Sequence, residues 1–302
     1  MAAEPEAVRR VRMWRGVAFA TGSVVLFASF TLASRFGLRT EYEAADLALL
    51  RFGIAALLFL PLLLRKGLAG LSLTRALALA GCGGLGFALL AYQGIGLTPS
   101  SHAAVLLHGT LPLFGYACGA LILGERACTA RLAGVLLIAS GMGLTLASTM
   151  LYRATISPVG DLCLIAASAA WTLYGALLTR WRVKAADAVA VVAGLSFIAF
   201  GLYALASGHV LHAVPSIEFG AQALIQGVLL GGVSLYVYSK AVEALGATGA
   251  ALAATAVPIV TVLGAIPLLG EVPTRLEWAG VALSVLGMSA ALAWKPGNRS
   301  SG

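Results

Sequence analysis

Apolar residues fill this chain in long unbroken runs, and polar residues gather in the short gaps between them. The runs fall at about 16–35, 44–64, 76–97, 102–124, 130–150, 159–179, 186–207, 219–240, 246–270 and 276–294. Several reach the roughly 20 residues that carry a helix across a bilayer. None alternates apolar with polar positions as the strand of a membrane barrel does. A spanning chain must satisfy its backbone groups internally, which leaves helices. The pattern therefore predicts an all-α membrane protein with ten transmembrane helices. Turn signals, such as Thr98-Pro99-Ser100-Ser101 and the stretch from His209 to Pro215, mark the gaps.

The pattern also repeats. At a shift of 146 residues Gly81 meets Gly227, Gly86 meets Gly232, Tyr92 meets Tyr238 and Pro112 meets Pro258. In the same register Leu123-Gly124-Glu125 meets Leu269-Gly270-Glu271, and Gly141-Met142 meets Gly287-Met288. Chance apolar similarity does not hold one ungapped register across Pro, Glu and Tyr together. The expected units are residues 1–150 and 151–302, with five spans each. An odd number makes the second unit enter the membrane from the opposite side, so the reading is two inverted five-helix repeats. That arrangement in secondary transporters places the substrate site near the midplane, between the repeats.

Charge adds orientation. Only 11% of residues are charged and the mean hydropathy is +0.95, against about 25% charged in soluble proteins. The net charge of +8 does not signal nucleic acid, because Lys and Arg sit at helix ends without interleaved aromatics. Arg9, Arg10, Arg12, Arg15, Arg65, Lys66, Arg180, Arg182, Lys184 and Lys295 fall on one side of a ten-span chain. The other side receives Arg35, Arg39, Arg153 and Arg275. This bias puts both termini in the cytoplasm of an inner (plasma) membrane protein. The first run follows a basic stretch, as a secretory signal would, but reads as the first span of the repeat. The four cysteines lack CxxC spacing and lie in or beside apolar runs, which suits packing.

Several motifs resemble the EamA family of the drug/metabolite transporter superfamily. They are Arg51-Phe52-Gly53-Ile54-Ala55-Ala56, Pro112 with Gly124-Glu125, Pro258 with Gly270-Glu271, Gly134/Gly141 with Gly280/Gly287, and Gly160-Asp161 followed by Trp171. The resemblance covers nearly the whole chain. It implies ten helices and the export or exchange of metabolites, amino acids or drugs. One departure is that the seventh run has Phe197 where the second has Arg51.

Candidate site residues follow from polarity inside apolar runs. Arg51 is the one charge well inside a run, which is costly unless it faces protein or water. It reads either as an anchor for an anionic group or as half of a structural pair. Tyr92, His108, Tyr116, Trp171, Gln226, Tyr236 and Tyr238 are the other candidates for substrate binding. Tyr92, Tyr238 and Trp171 suit an interfacial belt equally, and His108 suits either titration or packing. Pro112 and Pro258 read as mid-helix kinks, whether hinges or fixed bends. Glu125 and Glu271 read as gates, as proton carriers or as carboxylates holding the neighbouring helix start. The clustered glycines 81, 83, 84 and 86 lie in an apolar span and suit close helix packing, not a nucleotide loop.

A central cavity is expected chiefly from the third, fourth, eighth and ninth spans, with some help from the first and sixth. The chain reads as a transporter of small organic metabolites working by alternating access, and not as an enzyme. The expected partners are a small-molecule substrate and the lipid bilayer, with no nucleic acid, no cofactor and no metal, as a monomer or homodimer. A membrane-embedded enzyme and a non-transporting sensor or assembly subunit are the alternatives. The first would need a catalytic dyad or metal set in the membrane; the second usually carries a soluble domain.

Overall fold

The computed structural model describes residues 6–40, 42–124, 129–152, 157–209 and 216–293, and every regular element among them is helical. In chain order these are α1 (Glu6–Arg39), α2 (Ala44–Lys66), α3 (Leu73–Leu97), α4 (Ser100–Leu123) and α5 (Thr129–Tyr152). They continue as α6 (Pro158–Trp181), α7 (Ala185–Ser207), α8 (Ile217–Gly246), α9 (Val257–Leu269) and α10 (Arg275–Ala293). Among the described residues seven helices are long and apolar enough to cross a membrane: α1 from Met13 onward, α2, α3, α4, α6, α7 and α8. α5 holds a shorter apolar helix, Leu132–Ser148. α9 is short because the chain bends at Gly246, at φ 77°, and passes through a 3-10 turn at Ala254–Ala256 before it.

Local chemistry sets the ends. Asp46 Oδ2 accepts from the Glu43 N–H at 2.9 Å and the Glu43 side chain accepts in return, a capping box that opens α2. Ser157 accepts from the Gly160 N–H and opens α6. α4 and α9 stop at Gly124 and Gly270, whose φ values of 70° and 64° lie in the left-handed region that favours glycine.

The 146-residue register reappears in the geometry. The regular part of α4, Leu111–Leu123, and the whole of α9, Val257–Leu269, are offset by that interval at both ends. Pro112 and Pro258 do not kink continuous helices, as the sequence suggested. The winding changes ahead of them, through a π-helical stretch at Ala103–Gly109 and the 3-10 turn at Ala254–Ala256. Each proline then sits in the first turn of a fresh helix, where its missing N–H forfeits no bond.

The main helix pairings recur when the halves are exchanged. α1 packs on α8 and α9, and α6 packs on α3 and α4; α2 lies against α7, and α5 against α10. The last two pairs run antiparallel. Gly53 lies at Phe197 while Lys66 Nζ reaches Asp187 Oδ1 at 2.8 Å. A Cβ on Gly141 would come within 2.5 Å of the Gly280 carbonyl, and one on Gly287 within 2.6 Å of the Gly134 carbonyl. Glycine at 141, 280 and 287 lets two backbones touch, a small-residue interface typical of helices in lipid.

Candidate functional site

At the centre of the bundle the aromatic side chains of both halves form one connected cluster. Phe27 and Phe30 come from α1, Phe87 and Tyr92 from α3, Trp171 and Tyr174 from α6, and Tyr238 from α8. Phe87 and Trp171 are the tightest pair, with ring centroids 4.7 Å apart; Trp171 and Tyr238 follow at 4.9 Å. Phe27 bridges them, edge-on to Trp171 at 5.5 Å and stacked on His108 at 5.9 Å. His108 Nε2 lies 2.8 Å from Thr31 Oγ1.

Arg51 enters this cluster from α2. It is only 3% exposed, and its guanidinium carbon lies 4.8 Å from the Phe30 ring centroid and 5.6 Å from that of Phe87. Such cation–π contacts contribute about 2 kcal/mol or more when desolvated. α8 approaches closely on the other side, where a Cβ on Gly231 would collide with the Arg51 carbonyl. Arg51, Phe30, Phe87, His108, Trp171 and Ser234 border a central void of about 10 Å³, room for about one water.

Polar groups seal one end. On α1, one turn beyond Phe30, Ser34 accepts from Gln226 Nε2 at 3.2 Å, and Gln226 Oε1 accepts from the Tyr92 hydroxyl at 3.1 Å. Next comes Arg35, which donates to the Ile95 and Gly96 carbonyls at 2.9 Å and to Glu271 at 3.2 Å. Arg39 also pairs with Glu271. The other Glu271 oxygen accepts from the Ser100 N–H at 2.8 Å. Three successive residues at the start of α4 thus meet three acids, one from the α9–α10 connection and one each from α10 and α6. Ser101 Oγ donates to Glu277 of α10 at 3.0 Å, and His102 Nδ1 lies 2.7 Å from Asp161 Oδ1 of α6. Carboxylates are favoured there by the unpaired N–H groups of the first turn. Burial alone would raise the Glu271 carboxyl; the Ser100 N–H and the Arg35 and Arg39 charges outweigh it and hold the group below the usual carboxylate range.

The opposite end is more open. A vestibule of about 310 Å³ is bordered by Leu178, Arg182, Lys184, Ser239, Val242 and Glu243. Along α6 and α8 these positions lie one to three turns beyond Trp171 and Ser234, which border the void. Between vestibule and void stand Trp171, Tyr174 and Tyr238, and the Tyr174 hydroxyl is 3.2 Å from Ser239 Oγ. The central void is therefore closed by a polar latch at one end and an aromatic plug at the other.

Of the sequence candidates, Arg51, Tyr92, His108, Trp171, Gln226 and Tyr238 come together at this centre. Tyr92, Trp171 and Tyr238 are at most 3% exposed, so they are not belt residues. Tyr236 does not border the void: it is half-buried against the cluster, with Lys240 Nζ 5.9 Å from its ring. Tyr116 is half-buried five residues past Leu111, which borders the void. Glu271 holds the start of α4 and not, as the sequence suggested, that of the neighbouring helix. Glu125 lies outside the described residues. α1 proves a principal contributor, through Phe27, Phe30, Thr31 and Ser34, while no residue of α9 borders the void. Of the clustered glycines of α3, Gly83 packs against the Tyr174 ring and Gly84 against Ser196 and Val192, whereas a Cβ on Gly81 would meet nothing within 4 Å and one on Gly86 only the Gly81 backbone. Sequence reasoning missed the three phenylalanines and the acid-lined start of α4; the Pro99-Ser100-Ser101 string was a usable signal for the latter.

Comparison with known proteins agrees with this layout. The model of the EamA-like transporter family matches twice, at residues 14–147 and 158–292. A protein of Streptantibioticus cattleyicolor described as a probable terminal-alkyne amino-acid exporter is 28% identical over 276 residues, 88% of this chain and 89% of its own. A crystal structure described only as that of a protein shares the fold, with a TM-score of 0.65 and 20% identity over 91% of this chain and 96% of that one.

Proposed function

Since the chain belongs to the EamA-like transporter family, and so is a multi-pass membrane transporter of small molecules, we propose that it exports an amino-acid-like metabolite by alternating access. α5, α9 and α10 complete ten spans in two inverted halves, 1–150 and 151–302. In support, α9 is continuous with the helical turns after Gly246, and the equivalent pairs α2/α7 and α5/α10 run antiparallel. The basic bias places both termini and the Arg182/Lys184 vestibule in the cytoplasm, with Glu271 on the outer face of the plasma membrane.

The observation that carries this reading is the doubly closed central void. Its walls come from both halves, and each closure has a different chemistry: ion pairs outside, stacked rings inside. A site that opens one closure at a time exposes cargo to one face at a time. Arg51, Tyr92, His108, Trp171, Gln226 and Tyr238 bind the cargo in this scheme, and Glu271 gates. The relative from Streptantibioticus cattleyicolor, an amino-acid exporter by its description, supports the cargo class. The test is counterflow in vesicles containing the purified protein, using labelled apolar amino acids. Accumulation against an unlabelled internal pool, absent from protein-free vesicles, is expected. Failure of every member of the series to exchange would overturn the proposal.

A further inference from the structure

Arg51 is deeply buried, and among the described residues no salt bridge reaches it. Its Nε and Nη1 have no hydrogen-bond acceptor. Trp171 Nε1, bordering the same void, is also buried without an acceptor. Buried donors are normally satisfied, and each orphan costs free energy that a ligand can recover. None of the described residues bordering the void is acidic. The site therefore offers positive charge, several N–H donors and flat ring faces, with nothing to pair an ammonium by charge. Its complement is an oxyanion with several acceptor lone pairs, attached to an apolar body.

Building on the transporter reading, we propose that Arg51 and Trp171 receive the carboxylate of the cargo, and that the site selects for that carboxylate and not for the amino group. The cargo class is then apolar monocarboxylates, including amino acids whose nitrogen is acylated. Phe30 and Phe87 hold the guanidinium in place before the cargo arrives, so little ordering is left for binding to supply. The void admits about one water as it stands, so cargo enters by parting the Trp171, Tyr174 and Tyr238 rings. The equivalent position in the second half is Phe197, on the outer surface and 42% exposed. The carboxylate site is consequently single, one per chain.

Thermal unfolding of the purified full-length protein in detergent tests this, with three probe sets: apolar amino acids, their N-acetyl derivatives and their methyl esters. Free and N-acetylated acids should raise the unfolding temperature with comparable affinity, and esters should bind about tenfold or more weakly, as loss of charge-assisted hydrogen bonds implies. Arg51→Gln should abolish the preference for acid over ester. Trp171→Phe, which keeps a ring and removes the N–H, should lessen it severalfold. If Arg51→Gln shows no folded baseline, the acid-to-ester ratio of the wild type and of Trp171→Phe decides. Equal binding of acids and esters, rejection of N-acetylated acids, or an unchanged preference in folded Arg51→Gln would each overturn the inference. A protein that exchanges amino acids in vesicles yet binds esters as well as acids remains a transporter and loses only this assignment. One that neither exchanges nor binds any probe loses both.

Discussion

Replacing Glu271 by Gln probes the outer latch. The change is nearly isosteric and keeps an oxygen to accept from the Ser100 N–H, but it removes the charge facing Arg35 and Arg39. A hydrogen bond to a charged group contributes about 1.5–3 kcal/mol, and Arg35, with its side chain 14% exposed, is in the regime where that applies. Arg39 is 41% exposed, so solvent limits its share to about 1 kcal/mol or less. After allowing for what the Gln oxygen retains, the closed outer face should lose about 1–3 kcal/mol, a shift of about 5–150-fold toward the open form. The assay is the rate at which an external, membrane-impermeant thiol reagent modifies Ser34→Cys in a background without the native cysteines. Ser34 is fully buried between latch and void, so labelling reports opening. With Glu271 intact the reporter should stay nearly unreactive; with Glu271→Gln it should react at least about fivefold faster. Equal rates at equal expression would refute the idea that Glu271 holds this face shut. Acid gives a second check on sign. The Glu271 value is depressed below the ordinary 4.5, so its stabilisation is complete above 4.5 and is lost only as pH falls through the lowered value. Between about pH 5 and 8 outside, the ratio of Ser34→Cys labelling rates with Glu271→Gln and with Glu271 should therefore stay constant, the ratio cancelling the thiol's own titration.

Two further substitutions follow from the packing. Gly141→Ala would put a Cβ 2.5 Å from the Gly280 carbonyl and 3.0 Å from the Ser284 amide nitrogen. Backbone cannot swing aside, so a loss of about 1–3 kcal/mol is expected in detergent unfolding; Gly143→Ala, which meets nothing within 4 Å, should be close to neutral. Tyr174→Phe removes the hydroxyl facing Ser239 while leaving the ring stack. A weakening of about 1 kcal/mol in the inner plug should raise labelling of a void-facing Ser234→Cys reporter from the cytoplasmic side, with labelling from outside unchanged.

The helices and the register between the halves were legible because they rest on local and repeated features. A membrane span needs only a run of apolar residues, and a glycine cap announces itself in sequence; the first-turn place of Pro112 and Pro258 did not, because the change of winding ahead of them carries no local mark. The same offset that aligned Pro112 with Pro258 and Gly124 with Gly270 recurs as matching helix starts and stops. Arg51 was legible for a related reason: one charge in an apolar run must find a protein environment. Phe27, Phe30 and Phe87 were not, since phenylalanine in a span looks the same whether it meets lipid or a guanidinium. Only the rotation of each helix about its axis decides, and long apolar runs carry little signal of it.

Rotation also explains why Tyr236 does not border the void. Ser234 and Tyr238 are four residues apart and share a helix face, whereas a residue midway between them points about 200° away. The face that carries Tyr238 to the centre therefore turns Tyr236 away from the void. Glu271 shows the complementary limit. Its place after a helix-ending glycine pointed to the start of the neighbouring helix, because local pattern names only the nearest one. The start it holds, Ser100 of α4, is 171 residues away and belongs to the other half. The contact depends on how the two halves meet, and so does the central void. The chemistry of these groups is written residue by residue, but their partnership exists only once the second half has folded against the first.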